Sequence, residues 1–395
     1  MEKFNVYEPE DDSFLLLESI EKFLYNFDNN DLKICEVGVG SGFVISGVAK
    51  SFPNNVFSGV DINPDAIVST KSRFEKINNK INLYNGNLLE PIKEKQDLIF
   101  FNTPYLPCEE GEIFENLEII DKAIYGGEKG YEIIEEFILQ ISDKLNLNGC
   151  VFMLFSNLSN KIYIDELLNK LFFNFEIIEE QHHFFEQLFI YKITMSDVLK
   201  KIVDSGVKNL KYFTAGKHSK VFQGIFNNKP VIIKIGIAQH LEKEGYFLKK
   251  LESEKFTSEL FVTDSNFVVK EFIDGIRIDE WIGKVVDKQE FLIVLQNIID
   301  VCIRLDELKI NKFEMTNPYK HIFIQEDLSV KFIDFERCIF SMDPKNTTQL
   351  LQYFYRRNRD NFKRVGFDIS FKKIIDVAKN YKDLGKKFKV EEILE

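Results

Sequence analysis

Residues 32–62, LKICEVGVGSGFVISGVAKSFPNNVFSGVDI, decide the fold. An apolar run, LKICEVGV, ends in glycines. SGFVISGVAKSF continues with apolar residues at helical spacing, and NVFSGVDI is strand-like again. Strand, glycine-rich turn, helix and strand make a βαβ unit. The rhythm goes on through PDAIVSTKSRFEKI (64–77) as a helix and INLYNG (81–86), DLIFFN (97–102) and GCVFMLFS (149–156) as strands. This part of the chain is therefore expected to be α/β, a doubly wound and mostly parallel sheet with ligands beyond the carboxyl ends of its strands. HFFEQLFIYKITM (183–195) is expected to close the sheet as an edge strand.

The 395 residues predict two or three domains, and 45% hydrophobic with 29% charged residues is the balance of a folded protein. No run reaches the ~20 apolar residues of a membrane span. MEKFNVYEPEDD lacks the basic-then-apolar layout of a signal peptide. Five widely spaced cysteines without a CxxC pair argue against a disulfide framework or a cysteine-rich zinc site, and a reducing cytoplasm fits. The net charge of -12 is unevenly shared. Residues 1–195 hold 33 acidic and 16 basic residues, a net of -17, and the remainder is at +5. A phosphate backbone would be repelled by the first part, so a protein substrate suits it better than nucleic acid.

The pattern changes near residue 195. SDVLKKIVDSG (196–206) opens a polar-capped helix. It is followed by a strand pair in YFTAGKHSKVFQGIFNNKPVIIKIG (212–236), the helix QHLEKEGYFLKKLES, the strand NFVVKEFI and a long helix over 288–310. The expected domains are 1–195 and 196–395, the second an α+β unit with a small sheet lobe and a helical lobe.

In the first domain Glu36, Gly38, Gly40 and Gly42 lie between strand and helix, where backbone can approach a ligand and free N–H groups await it. Alone, this turn serves nucleotide, flavin and S-adenosylmethionine sites alike. Asp61 ends the next strand, placed to hold ribose hydroxyls or simply to cap a helix. Asn102-Thr103-Pro104-Tyr105 ends DLIFFN and resembles the (Asn/Asp)-Pro-Pro-(Tyr/Phe) acceptor loop of amino-methyltransferases. A planar amide or exocyclic amine can lie on Tyr105 while Asn102 accepts its N–H, so rate comes from orientation.

Within that class VYEPEDDSFLLLESI (6–20), NTPYLP (102–107) and GGEKGYEIIEEFI (126–138) resemble the HemK-related enzymes that methylate a glutamine of translation release factors. The archaeal and eukaryotic form fits best, and the resemblance covers roughly residues 5–195. It implies a Rossmann-like class I methyltransferase fold. Tyr7, Pro9, Asp12, Glu36, Gly38, Gly40, Gly42, Asp61 and Asn87 would line or hold S-adenosylmethionine. Asn102, Pro104 and Tyr105 would hold the glutamine amide. A small zinc-ribbon activator would dock on an apolar sheet edge. Two departures stand out: Thr103 replaces a proline and is expected to loosen the turn, and Asn87 replaces an aspartate. Adenine N6 or a protein lysine are the rival acceptors.

The second domain resembles small atypical kinases of the RIO type over about 205–340. Gly216, Ser219 and Val221 sit in a glycine loop with Lys217 and His218, followed by Lys234 on a strand and Glu244 on the next helix. Asp334-Phe335-Glu336 stands where kinases carry their metal-binding Asp-Phe-Gly. The resemblance implies ATP and Mg2+, with Asp334 as metal ligand. The catalytic loop departs: Thr316 occupies the position of the catalytic aspartate and His321 that of the asparagine, with Glu314 and Asn317 nearby. Either Glu314 is the base, or the unit binds nucleotide without transfer, or it is a docking module.

Three further stretches carry weaker signals. His182 and His183 lack companions at ligand spacing and are expected to be structural or surface residues. CEEGEIFENLEIIDK (108–122) is expected to be a solvated flap over the acceptor site, or else a surface that recruits a basic partner. YRRNRDNFKR (355–364) is a solvent-facing helix or an RNA contact.

Overall fold

The computed structural model describes residues 5–26, 31–108, 114, 117–182, 186–216, 219–385 and 387–395. Of the stretches singled out above, Lys217, His218, residues 183–185 and seven residues of the acidic flap (109–113 and 115–116) lie outside them. The chain forms two compact units, the first reaching Tyr212 and taking in Gly224–Asn227, the second Phe213–Gln223 and Asn228–Glu395.

The first unit begins α1 (Asp11–Tyr25), β1 (Lys33–Val37), α2 (Phe43–Ser51), β2 (Val56–Asp61), α3 (Pro64–Lys76), β3 (Ile81–Asn85) and β4 (Gln96–Asn102). It continues α4 (Glu132–Lys144), β5 (Leu145–Ser156), α5 (Lys161–Lys170), β6 (Phe173–His182), β7 (Gln187–Met195) and α6 (Asp197–Asp204). Its sheet runs β3-β2-β1-β4-β5-β7-β6; β3 to β5 are parallel, and β7 is antiparallel to both β5 and β6. This is the Rossmann-like architecture of class I methyltransferases. Phe100 joins the core packed by α1 and α2, while its neighbour Phe101 meets Phe137 of α4 on the other face at 5.1 Å. Each such buried ring contributes about 2–3 kcal/mol.

One expectation is corrected here. β7 is an interior strand, and β6 is the edge. The near-continuous apolar run of β7 is buried along most of its length, whereas β6 alternates polar and apolar residues and leaves one face to water.

Ser196 caps α6 by accepting from the Leu199 N–H, and α6 buries Leu199 and Ile202 against the first unit's strands and α4. Beyond it come β8 (Lys208–Ala215), β9 (Ser219–Phe226), β10 (Lys229–Gly236), α7 (Ala238–Lys250), β11 (Leu260–Thr263) and β12 (Phe267–Glu271). These strands form a sheet in the order β11-β12-β10-β9-β8. The rest is mainly helical: β13 (Ile276–Arg277), α8 (Ile278–Lys284), α9 (Lys288–Glu307), β14 (Ile310–Asn311), β15 (Ile322–Ile324), β16 (Val330–Phe332), β17 (Ile339–Phe340), α10 (Asn346–Val365) and α11 (Phe371–Leu384). α9 and α10 supply much of its core, with Phe362 in ring contact with both Phe291 and Phe354. Among the described residues no helix is long and apolar enough to cross a membrane.

Candidate active site

The strand ends of the first unit open onto a cavity of about 660 Å³. Tyr7, Pro9 and Asp12 reach it from the start of the chain, Glu36, Gly38 and Gly40 from the β1–α2 turn, and Asp61 from β2. Asn87 comes from the segment after β3, and Asn102, Pro104 and Tyr105 from the loop after β4. Gly42 lies outside this lining. Its φ is +77°, and a Cβ there would fall 2.7–2.9 Å from Thr70 on α3, so this glycine lets two helices approach and does not face the cavity.

Burial lifts the carboxyl of Glu36 well above the usual range, although its Oε2 accepts the Ile45 N–H at 3.1 Å. Burial also raises the Asp61 carboxyl, opposed by the N–H groups of Asn63 (2.8 Å) and Gly40 (2.9 Å). Asp61 therefore braces the glycine turn from within, and its carboxylate keeps acceptor capacity for a ligand beyond these backbone N–H groups. The Asn87 amide donates to Glu136 Oε1 at 2.7 Å, which leaves the Asn87 carbonyl to accept.

The acceptor loop is locked by its neighbours. Asn102 Nδ2 donates to Asp12 Oδ2 at 3.0 Å, and the Tyr7 hydroxyl donates to the same oxygen at 3.3 Å. A carboxylate only accepts, so the bond fixes the amide orientation. Asn102 Oδ1 is shielded from water and has no hydrogen-bond partner among the described residues. The expected loosening at Thr103 is overturned. Its N–H, which a proline would lack, donates to Leu154 O at 3.1 Å, and its hydroxyl donates to the same oxygen at 2.8 Å. Ser159 Oγ holds the Tyr105 carbonyl at 2.8 Å. The GGEKG segment backs the loop directly: a Cβ on Gly126 would lie 2.3 Å from the Pro104 carbonyl oxygen.

Glu186 is among the lining residues that were not foreseen. It stands just before β7 and puts an oxygen into the interior with no partner among the described residues. Its charge, after burial, is the main cause raising the Tyr105 hydroxyl pKa.

The donor set fits a cationic, ribose-bearing cofactor beside an amide acceptor, and known proteins agree. A family model described as "Methyltransferase small domain" matches residues 10–186. A protein named as an N5-glutamine methyltransferase in Methanocaldococcus jannaschii is 35% identical over 185 residues, 47% of this chain and 89% of that protein. The chain belongs, through its first unit, to the protein N5-glutamine methyltransferase family. Human methyltransferase HEMK2 is 33% identical over 38% of this chain and 71% of its own length. The eRF1 methyltransferase catalytic subunit mtq2 of Schizosaccharomyces pombe is 32% identical over 42% and 79%. Among solved structures, the E. cuniculi Mtq2–Trm112 complex aligns with a TM-score of 0.38 at 22% identity, over 49% of this chain and 99% of that one. The cofactor of this methyltransferase unit is S-adenosylmethionine.

The second unit holds a separate cluster of charges. Lys234 of β10 contacts Glu244 of α7 at 2.8 Å, Asp334 at 2.7 Å and Glu336 at 2.8 Å. Lys270 of β12 bonds the other oxygen of Glu244. Burial works against the charge on Lys234 but is outweighed by Glu244 and Asp334, which raise its pKa. The carboxyls of Glu244 and Asp334 are held low by Lys234 and Lys270 against the effect of burial. Asp334 has a φ of +68°, an uncommon conformation for a residue with a side chain. His321 Nδ1 lies 3.8 Å from Asp334 Oδ2. Lys312, fully buried, bonds Glu314 at 3.2 Å and the Asp334 carbonyl, while Thr316 and Asn317 are exposed. Gly216 and Ser219 close the β8–β9 turn through a Gly216 N–H to Ser219 carbonyl bond of 2.8 Å, and Val221 lies on β9. Lys270, Lys312 and Glu336 were not foreseen. A lysine inside FVVKEF was the available signal, since a buried strand with a charge needs a countercharge.

Proposed function

We propose that the first unit methylates the side-chain amide nitrogen of a glutamine in a translation release factor. The observation that carries this is Asn102 Oδ1, a shielded acceptor whose orientation Asp12 fixes. S-adenosylmethionine, when bound, supplies an electrophilic methyl group on a sulfonium. Gly38, Gly40, Glu36, Asp61 and Asn87 are the residues that would hold it, with Tyr7, Pro9 and Asp12 beside them. Asn102 Oδ1 accepts one N–H of the amide, Tyr105 supports its plane, and Pro104 shapes the turn. Held so, the amide nitrogen presents its lone pair in one direction, and the rate derives from that orientation without a strong base. The relatives named as glutamine or eRF1 methyltransferases support the substrate class. The first part's charge of -17 argues against adenine in nucleic acid.

An activator subunit is part of this reading. Its support is a relative named as a catalytic subunit, the open edge at β3, and the half-exposed Ile62 and Val68 on the β2–α3 segment beside it. The second unit, in the same proposal, is a RIO-like, kinase-related module that binds ATP with Mg2+ through Gly216, Ser219, Val221, Lys234, Glu244 and Asp334. Its support is the convergence of a strand lysine, a helix glutamate and a post-strand aspartate on one point. Glu314 is engaged by Lys312 and the exposed Thr316 offers no carboxylate, which favours nucleotide binding over phosphoryl transfer.

Mass spectrometry of a purified release factor after incubation with the chain and S-adenosylmethionine, with and without an activator and without ATP, tests the first reading. One added methyl group on a glutamine is expected. Methylation of lysine or of nucleic acid instead would replace the acceptor.

A further inference from the structure

Lysine outnumbers arginine 43 to 8 in this chain, yet four of the eight arginines, Arg356, Arg357, Arg359 and Arg364, fall within nine positions. They lie on α10, and α11 follows with Lys372, Lys373 and Lys379. Residues 355–379 hold eight basic and three acidic residues, a net of +5, as large as that of the whole 196–395 part. Two of these cations serve the fold. Arg364 donates to the Ile282 and Val285 carbonyls at the end of α8, 2.7 Å from each, and Lys373 bonds the Leu394 carbonyl. Arg356, Arg357, Lys363, Lys372 and Lys379 are exposed and have no ion-pair partner among the described residues.

These cations surround an aromatic surface. α10 turns Leu350, Leu351, Phe354 and Phe362 into the core, and α11 turns in Ile374 and Val377, so the outer faces of both helices are left over. On the outer side Phe371 meets Tyr355 with ring centroids 5.0 Å apart, and the Arg359 guanidinium lies 5.6 Å from the Tyr355 centroid. Phe371 is 55% exposed, so one side of this tier is open to water, and Ile375 and Lys379 continue the same helix face at successive turns. A planar guanidinium fork matches phosphate better than an ammonium does, and an open ring needs a flat apolar partner. A single nucleic-acid strand supplies both, one phosphate for every base, with the bases free to stack. A duplex keeps its bases paired and stacked on each other and offers Phe371 nothing. An acidic peptide would answer the cations and leave the ring plane unmatched.

We infer that the outer face of α10 and α11 binds single-stranded nucleic acid, with a base stacked on Phe371 and phosphates held by Arg356, Lys372 and Lys379. The inference stands apart from both the methyltransferase and the nucleotide-binding readings above and adds a second kind of partner to the chain.

The test uses the full chain and fluorescence anisotropy with a labelled RNA strand of about 12 nucleotides, within the range of known single-strand site sizes. A DNA strand of the same sequence, the corresponding duplex and a polyglutamate peptide are measured beside it. A single strand should bind about tenfold or more tightly than the duplex, the worth of one stacked base. The RNA and DNA arms tell which strand the face takes, and binding of either supports the inference. Phe371→Leu keeps an apolar side chain but removes the flat face, and should erase the preference for single strands. Arg356→Gln combined with Lys372→Gln leaves the aromatic tier in place. It should flatten the plot of log affinity against log salt by about 1.4, at about 0.7 for each phosphate contact on a single strand. Strand and duplex bound alike, a preference that survives Phe371→Leu, or a salt slope unchanged in the double variant overturns the inference. Absence of binding at about 0.05 M salt does the same. Polyglutamate bound more tightly than either strand would assign the face to an acidic protein and overturn the nucleic-acid reading.

Discussion

The Asn102 side chain donates to the Asp12 carboxylate at 3.0 Å, which joins the end of β4 to the first turn of α1, ninety positions away in sequence. The bond leaves the amide oxygen without a partner among the described residues and permits no flip, because a carboxylate offers nothing for that oxygen to accept.

Asn102→Ala is therefore expected to cut methyl transfer by about 100-fold or more while calorimetric binding of S-adenosylhomocysteine stays near that of the parent. Asp12→Asn, which can satisfy either orientation of the Asn102 amide, should cost about tenfold in kcat. Equal loss of transfer and cofactor binding in Asn102→Ala would contradict its role.

Thr103→Pro should destabilise the first unit by about 1–3 kcal/mol, since it removes two donors to Leu154 O in a buried strand end. Urea unfolding followed by circular dichroism reads this directly. An unchanged midpoint would mean that the two bonds contribute nothing.

Glu36 gives a pH dependence with a definite sign. Burial raises its folded-state pKa above the unfolded value, so the folded state holds its proton more tightly. Stability from this group is highest in acid and declines as pH climbs from the unfolded carboxyl value through the raised folded one. Glu36→Gln should accordingly raise the thermal midpoint at pH 8, with the gain narrowing towards pH 5. A gain that is constant across that range would refute the assignment to ionisation.

In the second unit Glu336 occupies the Lys234 ammonium that a nucleotide phosphate would need. Glu336→Gln should tighten ATP–Mg2+ binding several-fold by isothermal calorimetry, and Lys234→Met should weaken it at least tenfold. Should neither the parent nor Glu336→Gln take up nucleotide, the kinase-like reading is lost.

Much of the first unit was legible because each strand of its parallel part is a short apolar run bounded by turn residues, and because the chemistry sits at strand ends. β7 was read as an edge since it came last in sequence. Its near-continuous apolar character pointed to the interior, and order along the chain is not order across a sheet. Thr103 shows the limit of comparing residue types: its value lies in an N–H and a hydroxyl that meet one carbonyl. Glu186 could not be read at all, because an antiparallel return brings it beside the acceptor loop from 84 positions beyond Asn102. In the second unit Lys234 on a strand and Glu244 on the next helix were legible through the resemblance to kinases, and the two side chains meet at 2.8 Å. Lys312 bonds a backbone carbonyl from a short loop, where no periodicity marks it.

Gly126 stands against the Pro104 carbonyl with no room for a single methyl group. At Pro104 the acceptor loop thus leans on peptide backbone, and that one contact does not depend on the identity of any side chain. A saturation library across residues 120–135 would show this as intolerant columns at Gly126 and Gly130, the two glycines whose Cβ would meet the backbone of the acceptor loop, beside exposed positions such as Glu128 and Lys129 that accept many replacements. A lineage can then redecorate the mouth of this site freely, changing what it recognises, while the point at which the methyl group arrives stays where it is.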